Sequence, residues 1–145
     1  MDGETVLIVA AAPQELDTLP GEVVGVGPVV AAANAARIIE ATNPDAVIMI
    51  GTAGAYPGGP PIGSAIIAKK LGLSYGVATM GLGYVPRAPQ PIEVDPSVYE
   101  GLSVATHNVL TVSAVTTNEQ LAGRLSDGWE VEPLEAYSVA FACQQ

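Results

Sequence analysis

Residues 5–16 read TVLIVAAAPQEL. Residues 5–11 of this stretch are apolar or β-branched and carry no charge, which is typical of a short strand that is buried on both faces. Pro13 suits the first turn of a helix, and Glu15 in that turn faces the positive end of the helix dipole. The stretch therefore predicts a buried strand that runs directly into a short helix.

The rest of the chain continues the alternation of strands and helices. Further strands are predicted at residues 22–27, 46–50, 64–68, 108–115 and 129–132, and further helices at residues 28–40, 119–125 and 134–143. Asn118 can cap the second of these helices. Residues 51–63 predict a loop, and residues 71–96 hold many turn residues without a clear period. This order favours an α/β fold with a mixed, mostly parallel sheet flanked by helices, in one domain spanning residues 1–145.

The composition excludes several classes of protein. The 15 acidic and five basic residues give a net charge of −10, which argues against nucleic-acid binding because that affinity rests on clustered Lys and Arg. The one cysteine cannot form an internal disulfide or a cysteine zinc site. No apolar run reaches the roughly 18 residues of a membrane span, and the acidic start is unlike a signal peptide. We therefore expect a cytoplasmic protein without a metal, a cofactor, or a nucleic-acid or membrane partner.

The charges are distributed unevenly along the chain. Residues 46–92 contain three basic residues, no acidic residue and nine of the 16 glycines. This segment is either a loop region that tolerates an anion or a segment that is buried or faces another subunit. Cys143 is interpreted as a buried residue of the final helix. Trp129 is interpreted as a core or interface residue, with stacking on a base as the alternative.

Two glutamates have similar surroundings in the sequence. Glu15 and Glu135 each follow a short strand and a proline, and each is predicted in the first turn of a helix. Both positions lie near strand ends, where α/β proteins bind their ligands. A carboxylate there can activate a water molecule or accept two hydrogen bonds from a ribose diol. The alternative is a surface glutamate that only complements a helix dipole.

Two glycine-rich segments also follow strands. In residues 51–55, GTAGA, backbone amides can cradle an anion or a sugar hydroxyl and Thr52 adds a hydroxyl, although such a loop can equally be a simple turn. Residues 25–27, GVG, lie between a strand and a helix as in dinucleotide-binding folds, but Val30 replaces the third glycine of that fingerprint. These glycines are therefore interpreted as allowing the helix to pack closely on the strand.

Four segments together carry a pattern that is specific to one family. They are VAAAPQEL at residues 9–16, GVGPVVAA at 25–32, IGTAGAYPG at 50–58 and VEPLEA at 131–136. In this order they resemble the nucleoside phosphorylase and nucleosidase family, which includes methylthioadenosine/adenosylhomocysteine nucleosidase. PQEL and GTAGAYPG are most similar to the futalosine hydrolase branch, which serves an alternative menaquinone pathway. The resemblance implies a nucleoside phosphorylase-like fold and hydrolysis of the N-glycosidic bond of a purine nucleoside.

The resemblance also implies roles for individual residues. Glu15 matches the carboxylate that activates the attacking water, and Glu135 matches the acid that binds the ribose 2′- and 3′-hydroxyls. Leu134 stands where the family usually has a methionine that packs on the sugar. The other expected substrate contacts are Thr52, Ala53 and Gly54 near the ribose, and residues 113–117, beginning with Ser113, beside the base.

The sequence departs from the family pattern near its end. In the family, an aspartate after a further strand protonates the departing purine, so the resemblance implies a chain that lacks the family's last strand and helix. The alternative function is therefore a catalytically impaired nucleoside-binding or assembly protein. The matched loops hold no Arg or Lys to bind a phosphate nucleophile, which favours hydrolysis over phosphorolysis. A homo-oligomer is expected because the final apolar helix and residues 46–92 need cover.

Overall fold

The computed structural model describes residues 3–145. Its strands are β1 Val6–Ala10, β2 Glu22–Val23, β3 Ala46–Met49, β4 Gly54–Ala55, β5 Ile66–Leu73, β6 Ile92–Glu93, β7 Ala105–Thr111 and β8 Val131–Glu132. Its helices are α1 Pro13–Leu16, α2 Pro28–Thr42, α3 Gly76–Thr79, α4 Glu119–Leu125 and α5 Ala136–Cys143, and a 3₁₀ turn covers Pro96–Val98. This alternation confirms the predicted α/β class.

The first sheet has the predicted buried strand at its centre. β1 pairs in parallel with β2 on one side and with β3 on the other, so that Val9 lies opposite both Glu22 and Met49. Val9 and Ala10 are buried, as expected for an apolar strand covered on both faces. Because the three strands are parallel, the loops that follow their carboxyl ends meet at one edge of the sheet.

The second sheet has the strand order β4-β8-β7-β5-β6. β5 pairs in parallel with β7, and β7 pairs in parallel with β8, whereas the outer strands β4 and β6 run antiparallel to their neighbours. The mixed, mostly parallel arrangement is therefore confirmed, but over the described residues it is divided into two sheets. Helix α5 packs against α2 and against strands β3, β5 and β7, and it joins the two sheets.

Three apolar clusters form the core. The first comprises Val9, Val24, Ala31, Ala35, Ile38, Val139 and Ala142, between the first sheet and helices α2 and α5. The second comprises Tyr56, Leu110, Val112 and Leu125, and the third comprises Leu71, Val109, Val131 and Tyr137. Helix α5 contributes to the first and third clusters, so burial within this chain accounts for much of its apolar sequence. Its Phe141 side chain is exposed.

Two predicted boundaries near the site are wrong. β2 ends at Val23 rather than at residue 27, because Gly25 and Gly27 both have φ of +91°, which a strand does not accommodate. Helix α5 begins at Ala136, so Glu135 is its N-cap residue rather than part of its first turn. The Tyr137 amide in that turn donates to Oγ1 of the buried Thr111 at 2.8 Å.

The other differences between the predicted and the observed elements lie in and around the second sheet. The strand predicted at residues 64–68 is β5, which begins at Ile66 and continues to Leu73. A register shift between Ala68 and Lys70 interrupts its alternation, so its second half was not predicted. β7 occupies Ala105–Thr111 because its first residues pair with β5. The segment 71–96 contains α3 and β6, although it showed no period.

Two smaller predictions have opposite outcomes. Asn118 caps α4 as predicted, since its side-chain oxygen accepts from the Leu121 amide at 3.0 Å. Cys143, predicted to be buried, is exposed at the end of α5. In the described part of the chain, every helix is too short or too polar to cross a membrane.

Gly72 of β5 lies against the ring of Trp129, and a Cβ added to Gly72 would overlap ring atoms Cη2 and Cζ2. We expect Gly72→Ala to lower the free energy of unfolding by about 1–3 kcal/mol through overpacking, measured by urea denaturation. Gly123→Ala is the matched control, because Gly123 lies in α4 with open space around it. This control is expected to raise stability by roughly 0.5–1 kcal/mol. Equal stability of Gly72→Ala and wild type would contradict the packing described.

Candidate active site

Glu15 connects the carboxyl ends of two strands. It lies in α1, directly after β1, and its Oε2 accepts a hydrogen bond from the Ala12 amide at 3.1 Å. Its Oε1 faces the loop after β3, where the Thr52 amide donates at 3.4 Å. A Cβ on Gly51 would lie 3.3 Å from the same oxygen. The half-buried carboxylate is thus oriented by backbone groups while part of it stays open to solvent.

Glu135 is held by the loop that follows β2. Its Oε1 accepts a hydrogen bond from the Gly27 amide at 2.9 Å, across 108 residues of sequence. Gly27 has φ of +91°, a conformation that favours glycine, and this aims its amide at the carboxylate. The Glu135 side chain is 7% exposed. A buried carboxylate needs such donors because its desolvation is otherwise costly.

The structure therefore brings the two glutamates to one edge of the first sheet. Glu15 lies at the ends of β1 and β3, and Glu135 contacts the loop that follows β2. β1 is the central strand, and neighbouring strands are about 5 Å apart. Two carboxylates from distant parts of the sequence thus lie at the same edge of the sheet.

The other predicted site residues lie in several different parts of the structure. Thr52 and Ala53 are exposed in the loop after β3, while Gly54 belongs to β4 and pairs with Glu132 of β8. Leu134, predicted to pack on the sugar, is half-buried and packs against the second apolar cluster. Ser113 is exposed and lies in the lining of a cavity.

That cavity has a volume of about 920 Å³ and is lined mainly by apolar side chains of α2, α5 and residues 73–85. Pro28, next to Gly27, and Tyr137, two residues after Glu135, are part of its lining. It therefore begins beside the contact between Glu135 and Gly27. Glu15, Thr52 and Glu135 themselves lie outside the lining.

Sequence reasoning missed one buried acid. Glu132 is 8% exposed, and its Oε2 accepts hydrogen bonds from the Tyr56 hydroxyl and the Thr116 hydroxyl, both at 2.6 Å. Its Oε1 accepts from the Thr116 amide at 2.7 Å. Burial, together with the hydrogen bond and charge of Glu132, raises the pKa of the Tyr56 hydroxyl. The sequence did contain a signal, because Glu132 lies in the VEPLEA motif together with Glu135, but the motif by itself does not indicate a role for Glu132.

The acids of the site do not cluster as a metal centre would. Within residues 3–145, no three His, Cys, Asp or Glu side chains converge closely enough to hold a metal ion. Glu15, Glu132 and Glu135 instead accept hydrogen bonds from backbone amides, and Glu132 also accepts from hydroxyls. Such groups orient a carboxylate for hydrogen bonding or proton transfer.

The chain is similar in sequence to one protein family and to a curated relative. The family model of the Phosphorylase superfamily matches residues 5–125. The chain is 32% identical over 128 residues to futalosine hydrolase of Thermus thermophilus, a match that covers 77% of this chain and 57% of that protein. The chain thus spans less than two thirds of the length of this curated relative.

Solved structures share the fold. Methylthioadenosine/S-adenosylhomocysteine nucleosidase from Neisseria meningitidis, in complex with methylthio-immucillin-A, superposes with a TM-score of 0.75 at 21% identity, covering 98% of this chain and 80% of that chain. S-adenosylhomocysteine nucleosidase from Streptococcus pyogenes gives a TM-score of 0.79 at 19% identity, over 99% and 79% of the chains. A futalosine hydrolase mutant from Helicobacter pylori gives 0.77 at 15% identity, over 98% and 82%.

Proposed function

Because the chain belongs to the phosphorylase superfamily, we propose that it hydrolyses the N-glycosidic bond of a purine nucleoside and releases the base. The observation that carries this proposal is the placement of Glu15 and Glu135 at one edge of the first sheet. On the similarity to futalosine hydrolase, we propose a futalosine-like substrate and a role in the alternative menaquinone pathway.

Glu15 is proposed to activate the attacking water. Its two oxygens are oriented by the Ala12 and Thr52 amides, yet each carboxylate oxygen can accept more than one hydrogen bond. A water held by this half-exposed carboxylate would lose its proton to Glu15 as it attacks the anomeric carbon. The C–N bond to the base breaks while the C–O bond to the water oxygen forms. The departing purine takes up a proton from solvent, and Glu15 releases the proton of the attacking water to solvent, so that no net proton is consumed.

Glu135 is proposed to bind the ribose 2′- and 3′-hydroxyls. The Gly27 amide uses one acceptor position on Oε1, and a carboxylate offers about four. In N-glycosidic cleavage the sugar acquires positive, oxocarbenium-like charge. A buried anion beside the sugar stabilises that charge more than it stabilises the neutral ground state.

The cavity supports the same proposal. Ser113, expected beside the base, lines it, and the cavity begins next to the proposed ribose-binding residue. Its volume of about 920 Å³ lies in the range of small-molecule sites. We propose that it receives the parts of the nucleoside that extend away from the carboxylates.

The positions of cationic side chains favour water over phosphate as the nucleophile. The Lys70 ammonium lies over the Trp129 ring, 5.2 Å from its centroid, and the Arg124 guanidinium donates to the Met80 carbonyl at 3.2 Å. Arg37 is exposed on α2. A phosphate nucleophile needs cationic partners, and Lys70 and Arg124 are engaged with Trp129 and Met80 instead.

We further propose that the protein acts in the cytoplasm as a homo-oligomer. Apolar side chains at the mouth of the cavity support an assembly that covers them. Val29 is 80% exposed, Tyr84 is 84% exposed, and Phe141 is 42% exposed. All three line the cavity.

The proposal is tested by incubating the purified protein with futalosine, methylthioadenosine and inosine, with and without phosphate. Chromatography should detect free base, with futalosine cleaved fastest and the rate independent of phosphate. Absence of base from all three nucleosides would overturn the proposal. Calorimetric binding of a nucleoside without release would instead support a non-catalytic binding protein.

A further inference from the structure

Glu132 connects three segments of the site that are far apart in sequence. Its carboxylate accepts from Tyr56, which follows the Thr52–Gly54 loop, and from Thr116, which belongs to the segment 113–117. Its backbone lies in β8, three residues before Glu135, and pairs with Gly54 of β4. One residue therefore contacts the ends of two loops and lies only three residues before Glu135 in the chain.

The hydroxyl protons of Tyr56 and Thr116 have little freedom of direction beside Glu132. An ionised carboxylate only accepts hydrogen bonds, so the Tyr56 and Thr116 hydroxyls must both point their protons at it. Hydrogen bonds to a carboxylate are shorter and stronger than neutral ones. At 8% exposure, water is a poor substitute for either partner. Loss of one bond should therefore disturb the other two.

We propose that Glu132 is a positioning residue, which couples the Thr52–Gly54 loop and the segment 113–117 to Glu135. This inference rests on the proposed nucleosidase function. Through Tyr56, Glu132 holds the loop whose Thr52 amide orients Glu15, and through Thr116 it holds the segment expected beside the base. It is not expected to touch the substrate.

The two hydrogen-bond partners make separate tests possible. Tyr56→Phe and Thr116→Val each remove one hydroxyl with little change of shape, so neither depends on the fate of a more disruptive Glu132 variant. We expect Tyr56→Phe to lower kcat about tenfold with KM nearly unchanged, because it loosens the loop beside Glu15. Thr116→Val should instead raise KM about tenfold, because it loosens the segment beside the base.

Matched controls separate positioning from general stability. Tyr99→Phe changes a half-buried tyrosine, and Thr42→Val removes a hydroxyl that donates to Ile38 O at 2.8 Å near the end of α2. Glu130→Gln alters an acid two residues before Glu132, and the Oε2 atom of Glu130 accepts a hydrogen bond from the Asn108 amide. All three controls should keep the wild-type kcat and KM per folded molecule.

Hydrogen exchange gives a readout that needs no activity. In Glu132→Gln and in Tyr56→Phe, amides of residues 52–56 and of residues 113–117 should exchange faster together, while those of α2 keep wild-type protection. Exchange that increases only near the substituted residue, or kcat and KM equal to wild type in both partner variants, would overturn the inference. If the wild type releases no base, the proposed function fails, and coupled exchange would still support Glu132 as the link between the segments.

Discussion

Glu15→Gln is expected to reduce base release by about 100- to 10,000-fold while the protein remains folded. The glutamine keeps the size of the side chain, and its one oxygen can still accept from either the Ala12 or the Thr52 amide. It cannot take a proton from water. The loss should therefore appear in kcat, with a smaller change in KM.

Glu40→Gln is the control for this prediction, because Glu40 is an exposed acid on α2 and the change of net charge is the same. It should release base at the wild-type rate. Release rates are measured by chromatography at saturating nucleoside, and folding is checked by thermal unfolding. A Glu15→Gln protein that releases base as fast as wild type would remove Glu15 from the mechanism.

Glu135→Gln is expected to lower kcat/KM for a ribonucleoside about 100-fold. Hydrogen bonds to a charged group contribute about 1.5–3 kcal/mol each, and about 1.4 kcal/mol corresponds to a tenfold change. The amide of the new side chain can keep the bond from Gly27, so the fold should persist. The expected loss comes from the missing anion at the ribose hydroxyls and near the developing positive charge.

The substrate supplies the control for Glu135. A 2′,3′-dideoxynucleoside lacks both hydroxyls, so wild type and Glu135→Gln should differ much less with it than with the ribonucleoside. Comparing kcat/KM for the four combinations isolates the contact between Glu135 and the hydroxyls. An equal loss on both substrates would contradict a contact between Glu135 and the ribose hydroxyls.

Local pattern predicted most of the first sheet and its helices. The apolar run at residues 5–11, Pro13, and the stripe of alanines after Pro28 are local signals, and β1, α1 and α2 lie where they indicated. The second sheet was harder to predict. Its strand β5 contains a register shift at Ala68/Lys70, and its pairing with β7 joins residues about 40 positions apart. Such pairing is decided by tertiary contacts that no window of sequence displays.

The candidate site was predictable to a similar degree. Glu15 and Glu135 could be proposed from their motifs, and the structure places both at one sheet edge. The role of Glu132 could not be proposed, because its partners Tyr56 and Thr116 are 76 and 16 residues away. Nor could the sequence indicate that Leu134 packs into the second apolar cluster, since its neighbours there come from other elements.

The sequence alone determined the α/β class, the buried central strand and the two acids that follow prolines, because these depend on local hydrophobicity and backbone preference. The tertiary structure decided which loops meet at the carboxyl edge, that Gly27 holds Glu135, and that Glu132 ties together three distant segments. Hydrogen bonds to buried carboxylates are short and directional, so they depend on the final position of each backbone element. That position is set only when both sheets and helix α5 have packed together.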